Sequence, residues 1–150
     1  MKNFQLLYLI ALIIGCTYAC TNAQIDAPSK NKMEANFKAK YPNVKDVSWG
    51  KDDNGNYEAK FEQNGEKYRA DFTPAGDWIE TENDLKWKHL PKTVQDAIER
   101  TYDKDDIEEI EQVHHHQKGI FYDIEIDEKG KKKFDVEYNG LGKVIGRETK

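Results

Sequence analysis

The chain is poor in the residues that carry covalent chemistry. Its 150 residues include two cysteines, Cys16 and Cys20, two serines, Ser29 and Ser48, and four prolines. It has a single long apolar run, FQLLYLIALIIG at residues 4–15, behind the basic residue Lys2. That run is shorter than the roughly 20 residues a bilayer helix needs and has the form of a secretory leader. Within CTNAQ, Thr21 and Ala23 occupy the small-residue positions of a signal-peptidase site, which predicts a signal peptide over 1–23 and a mature chain beginning at Gln24. The alternative is IIGC, a loose lipobox that would leave Cys16 as a lipid anchor in an outer-membrane lipoprotein. Ile14 is bulky where such a signal carries a small residue. Either way no cysteine belongs to the folded part, which excludes a disulfide, a thiol nucleophile and a cysteine metal site there.

Positive charge is also short. With the leader removed, 22 basic residues face 28 acidic ones, a net charge of −6. This balance argues against nucleic acid as a partner, because phosphates demand a basic patch. The location the leader predicts is periplasmic or secreted.

What the sequence does have is alternation. YEAKFEQNGEKYRADF, residues 57–72, places Tyr57, Ala59 and Phe61 on one side of an Asn-Gly turn and Tyr68, Ala70 and Phe72 on the other. YDIEIDEKGKKKFDVEY, residues 122–138, repeats it with Tyr122, Ile124 and Ile126, then Gly130, then Phe134, Val136 and Tyr138. TPAGDWIETE aligns with NGLGKVIGRE in the turn that follows.

A helical pattern precedes each copy. Met33, Phe37 and Tyr41 recur every fourth residue, with Ser29 as the expected cap and Pro42 as the stop. Pro91 fits a first helical turn, followed by the stripe Val94, Ala97, Ile98 and Tyr102. Strands are predicted around Val47 and Trp49, then over 57–62, 67–73 and 77–81, and again over 107–113, 119–127, 133–138 and 143–147. The predicted fold class is α+β, as two tandem repeats, 24–88 and 89–150. Each is one helix followed by a four-stranded antiparallel meander, with the helices packed on one sheet face.

The pattern F..KYP....V.W, at Phe37, Lys40, Tyr41, Pro42, Val47 and Trp49, continues with Tyr57, Gly76, Trp78, Thr81, Glu82, Leu85, Leu90, Pro91 and Val94. These residues resemble the PepSY-like family of secreted bacterial proteins described as similar to beta-lactamase inhibitor protein. The resemblance implies a sheet whose outward face holds an enzyme or another protein. It is weaker in the second repeat, where Val144 stands at the position of Trp78 and no proline follows Tyr102.

No G-x-S-x-G elbow, H-E-x-x-H pair or phosphate-binding glycine loop occurs, so neither an enzyme nor a cofactor is expected. His114 and His116 are weak metal candidates: on a strand they would share a face, but Glu111 or a cross-strand residue would have to complete the site. Trp49 and Trp78 read as lids on the core. Trp87, between the repeats, can pack the connection or meet a partner.

The outward positions of the first copy, Glu58, Lys60, Glu62, Lys67, Arg69 and Asp71, balance in sign and suit cross-strand pairing. Those of the second, Asp123, Glu125, Asp127, Lys133, Asp135 and Glu137, are five acids and one base. The expected partner-binding residues are therefore Trp87, Asp123, Glu125, Asp127, Asp135 and Glu137, facing a protein with a basic surface. The alternatives are a calcium-binding envelope protein using the same face, or a lipoprotein spacer.

Overall fold

The computed structural model describes residues 27–52, 54–128 and 133–149. Ala23, Gln24, Cys16 and Gly130 lie outside the described residues. Helix α1 (Ala27–Lys40) leads into β1 (Val47–Lys51), β2 (Tyr57–Gln63), β3 (Glu66–Phe72) and β4 (Trp78–Asp84). Helix α2 (Lys92–Glu99) then leads into β5 (Ile107–His115), β6 (Gly119–Asp127), β7 (Lys133–Asn139) and β8 (Val144–Thr149). All neighbours pair antiparallel, and the strands form one eight-stranded sheet in the order β1 to β8.

That continuity comes from β4, which runs three residues beyond the predicted end at Thr81. Glu82, Asn83 and Asp84 do not alternate in polarity, so they carry no strand signal of their own. Pairing with β5, from Glu80 opposite His115 to Asp84 opposite Glu111, extends it. Two further expectations are corrected. Ser29 is not a cap but sits inside the first turn of α1, next to Pro28, a residue well suited to a helix start. Pro91 is itself the cap residue of α2, with ψ 140, and its carbonyl accepts the amides of Val94 and Gln95.

The two helices cover two core clusters on one face of the sheet. Under α1, Met33, Phe37 and Tyr41 pack on Tyr57, Ala59, Phe61, Ala70 and Phe72, with Trp49 and Trp78 partly buried at the margin. Under α2, Val94, Ala97 and Ile98 pack on Tyr122, Ile124, Ile126, Val136 and Tyr138. Volumes are traded between helix and sheet. The large residues of α1 lie over the alanine pair Ala59 and Ala70, whereas the smaller residues of α2 lie over Ile124 opposite Val136. Each core is thereby filled with different side chains, as close packing requires.

The turns after β3 and β7 lock the sheet to the helices. Gly76 (φ 84) lies against the Ser29 carbonyl and Met33 amide of α1, and its own carbonyl accepts Asn36 Nδ2 at 2.8 Å. Gly142 (φ 76) lies against the Thr93 carbonyl of α2, while Thr93 Oγ1 donates to the Gly140 carbonyl at 2.7 Å. A left-handed φ and the lack of space both select glycine there.

Thr81 is the buried polar residue among the described core positions. Its hydroxyl bonds to the Tyr41 hydroxyl and accepts the Trp78 Nε1 hydrogen at 2.9 Å. Burial pushes the Tyr41 phenol up to about 12. Replacing Thr81→Val strands both partners in an apolar setting, so unfolding in urea should show a loss of about 1–3 kcal/mol. A neutral result would mean that water reaches these groups.

Candidate functional site

The outer sheet face, opposite the helices, is where charge collects. Strand register decides which side chains meet there, because residues directly opposite on antiparallel strands project from the same face. Asp84 on β4 lies opposite Glu111 on β5, Glu111 opposite Asp123 on β6, and Asp123 opposite Glu137 on β7. Two residues along, Glu109 lies opposite Glu125, Glu125 opposite Asp135, and Asp135 opposite Glu148 on β8. Two parallel ranks of carboxylates thus cross the second half of the sheet at the strand spacing of about 4.8 Å.

The nearby cations sit at the margins. Arg69 on β3 reaches Glu58 at 3.6 Å and Glu111 at 3.7 Å and bonds closely to Glu82. Lys118 holds Glu137 at 2.6 and 2.8 Å, and Lys133 holds Glu125 at 2.5 Å. Lys60 also pairs with Glu58, at 2.8 Å, so in the β2–β3 part of the face Glu58 is held by two cations, as its balanced signs allow.

The twist of the sheet turns this face into a hollow. A cavity of about 640 Å³ is lined both by Asp52 and Asn54 beside the β1–β2 turn and by Glu148 and Thr149 of β8. In a flat sheet those edges would stand roughly 34 Å apart, so the sheet curls toward its acidic side. Burial in this floor pushes Glu82 up to about 8 and Glu111 up to about 7, against the pull of Arg69 and helped by neighbouring acids. Burial likewise raises Asp71 to about 6, and its Oδ1 is enclosed without a hydrogen-bond partner among the described residues.

Of the sequence-predicted residues, the structure brings Asp123, Glu125, Asp135 and Glu137 together on this floor. Asp127, opposite Lys133, lies at its end. Trp87 is elsewhere: it packs, half-buried, against the core cluster under α2 on the helix side, with the Lys104 ammonium 4.7 Å above its ring. His114 and His116 do not form a pair. His114 lies opposite Thr81 on the helix side, its imidazole held below the usual value by burial and by Lys40. His116 follows the end of β5, with Nδ1 3.0 Å from the Ile79 carbonyl oxygen, and its ring lies 4.6 Å from that of His115 instead.

Sequence reasoning missed Asp84, Glu109 and Glu148, and raised Glu111 only as a companion to the histidines. Glu109 and Glu111 alternate visibly in IEEIEQV, and the β5–β6 register places them opposite Glu125 and Asp123, while Asp84 comes in through the β4–β5 pairing. Asp84, Glu109 and Glu111 each bring a carboxylate oxygen within 4.8 Å of the others, the one such group among the described residues with a spacing suited to a cation. The outer face also carries two apolar residues, Val113 and Phe121, opposite each other at the His115 end and both buried. Lys118, drawn toward Glu137, lies 5.0 Å above the Phe121 ring.

Comparison with known proteins places this geometry among relatives. Residues 55–145 match the family described as "Putative beta-lactamase-inhibitor-like, PepSY-like". A DUF2874 family protein from Bacteroides ovatus is 25% identical, with a TM-score of 0.71, over 83% of this chain and 89% of that one. A BLIP-like protein from Bacteroides fragilis is 19% identical, with a TM-score of 0.69, over 83% and 88%. A protein from Bacteroides eggerthii described among "putative periplasmic proteins" is 20% identical, with a TM-score of 0.68, over 79% and 87%. No match is found among curated proteins.

Proposed function

The chain belongs to the beta-lactamase-inhibitor-like, PepSY-like family, and on that premise we propose that it is an exported, non-enzymatic module that holds a basic protein surface against the outer face of its sheet. The observation that carries this reading is the register, which sets carboxylate opposite carboxylate across β4 to β8. Like charges directly opposite destabilise a sheet, so the arrangement works against the fold and in favour of a cationic partner. Export is supported by the leader and by the periplasmic description of one structural relative. Among the described residues no helix is long and apolar enough to cross a membrane. The matching element order and the two helix-bound glycine turns support reading 24–88 and 89–150 as copies of one unit whose outer faces have diverged.

The test is reversal of charge. The triple variant Asp123→Lys, Glu125→Lys, Asp135→Lys should lose capture of basic envelope proteins by roughly tenfold or more, as should the native chain in about 0.3 M salt. Its melting temperature should change little, because relief of like-charge contacts offsets the loss of the Lys133–Glu125 ion pair. Undiminished capture would remove this face from consideration.

A second reading rests on the oxygen spacing of Asp84, Glu109 and Glu111, which suits a calcium ion. Millimolar calcium should then raise the melting temperature of the native chain and leave that of Asp84→Asn unchanged. No rise in the native chain excludes it.

A further inference from the structure

The described residues expose four large apolar side chains, Ile120 (51%), Leu141 (82%), Val144 (50%) and Ile145 (42%), and all of them belong to one corner of the sheet. Phe121 lies opposite Asn139 and Tyr138 opposite Val144, so Ile120 and Val144 flank the β7–β8 turn from which Leu141 projects. The turn is fastened from both sides. Asn139 Oδ1 accepts the amides of Leu141 and Lys143 at 3.1 and 3.0 Å, and Thr93 of α2 holds Gly140 from below. Leu141 is therefore presented by a fixed turn, at little ordering cost to anything that covers it.

This corner adjoins a free sheet edge. Among the described residues β8 pairs with β7 alone, so one row of its backbone amides and carbonyls has no described strand beside it. Edge strands are commonly protected by lysine or proline. In β8 the cation Arg147 is folded back, its guanidinium 4.6 Å from the Phe134 ring and bonded to the Tyr102 hydroxyl. The opposite edge differs in its apolar residues: Val47 and Trp49 of β1 pack on the core, whereas Val144 and Ile145 of β8, which follow Lys143, are exposed. On the outer side of β8, Glu148 lies opposite Asp135, so the acidic floor runs up to this edge.

We propose that the free edge of β8 accepts an extended segment of a partner protein as a ninth strand. The segment would alternate basic side chains, set over Glu148 and Asp135, with apolar side chains set against Leu141, Val144 and Ile145. Edge addition takes affinity from main-chain hydrogen bonds and specificity from such alternation. Charge on the outer side of the edge, where Glu148 lies opposite Asp135, selects this occupant over a second copy of the chain, whose β8 would bring Glu148 and Gly146 to that side and no cation. The inference is separate from the binding face: the edge can fail while the face holds, and the reverse.

The probe is the end-blocked peptide Lys-Val-Lys-Val-Lys-Val-Lys, titrated into the folded chain while backbone amide shifts are followed. Two further peptides, N-methylated on the valines or on the lysines, each block one hydrogen-bonding edge. Edge addition predicts shifts centred on residues 144–149 and a loss of roughly tenfold or more for one methylated peptide only. It also predicts a similar loss for the parent peptide with Leu141→Lys, Ile145→Lys, both exposed sites. Shifts centred on β4 to β6, equal binding of all three peptides, no binding at millimolar peptide, or self-association of the chain through β8 would each overturn it.

Discussion

Unfolding free energy is expected to fall by about 2 kcal/mol or more as pH rises from about 5 to about 8. Three buried carboxyls set the direction: Asp71, Glu82 and Glu111, raised by burial to about 6, 8 and 7. In the unfolded chain such groups ionise near 4, so between that value and 8 the folded protein binds more protons than the unfolded one. Stability is then fully present below the unfolded pKa and is lost as pH climbs through the folded values. One pKa unit is worth about 1.4 kcal/mol, and the expected fall is well below the simple total because the three acids share the Arg69 guanidinium. Urea titrations at three pH values measure it. Glu82→Gln should flatten the dependence, since it removes the ionisation with the highest pKa while Arg69 keeps Glu58 and Glu111. A stability that is flat, or that rises with pH, would mean that the floor is better hydrated than its burial indicates.

The second large effect is structural. Gly142→Val should cost roughly 3–5 kcal/mol, combining backbone strain with overpacking. A Cβ at Gly142 would lie 2.3 Å from the Thr93 carbonyl oxygen and 3.1 Å from Ala97 Cβ, at a φ of 76. The obstacle is helix backbone, which cannot rotate aside as a side chain could, so α2 must lift from the core it covers. Gly65 provides the control, with a φ of 80 and nothing within 4 Å of an added Cβ. Gly65→Ala should therefore show the backbone strain alone, about 1 kcal/mol. Equal losses in the two variants would show that α2 and the β7–β8 turn are less tightly joined than this contact requires.

Much of the fold is legible because it is written locally. Alternation over 57–72 and 122–138, the Asn64-Gly65 turn with both residues at positive φ, and the four-residue spacing of Met33, Phe37 and Tyr41 each specify an element without tertiary information. The acidic face is legible only by half. Asp123, Glu125, Asp135 and Glu137 follow from alternation on adjacent strands of one hairpin. Glu109 and Glu111 join them through the register of the β5–β6 hairpin, past the bulge between Ile107 and Glu109, whereas Asp84 joins only through the β4–β5 pairing, a contact between segments separated by α2 that no local pattern encodes. The β4–β5 register sets Val113 opposite Glu82 on the outer face and His114 opposite Thr81 on the helix side, and the β5–β6 register sets Val113 beside Phe121. Trp87 shows the converse limit: a tryptophan in a connection reads equally well as core or as contact until the core beneath it is known.

The pH dependence and the proposed function meet at one point. An anionic floor that destabilises its own sheet at higher pH gains most from a cationic surface laid across it. The most direct measurement is site-specific photo-cross-linking in the native envelope, with the reactive side chain placed at Glu109 on the floor or at Lys38 on the exposed side of α1. A discrete adduct from Glu109 that disappears at high salt, with none from Lys38, is the predicted result. An adduct from Lys38 with none from Glu109 would contradict the assignment of the acidic sheet face as the surface that binds.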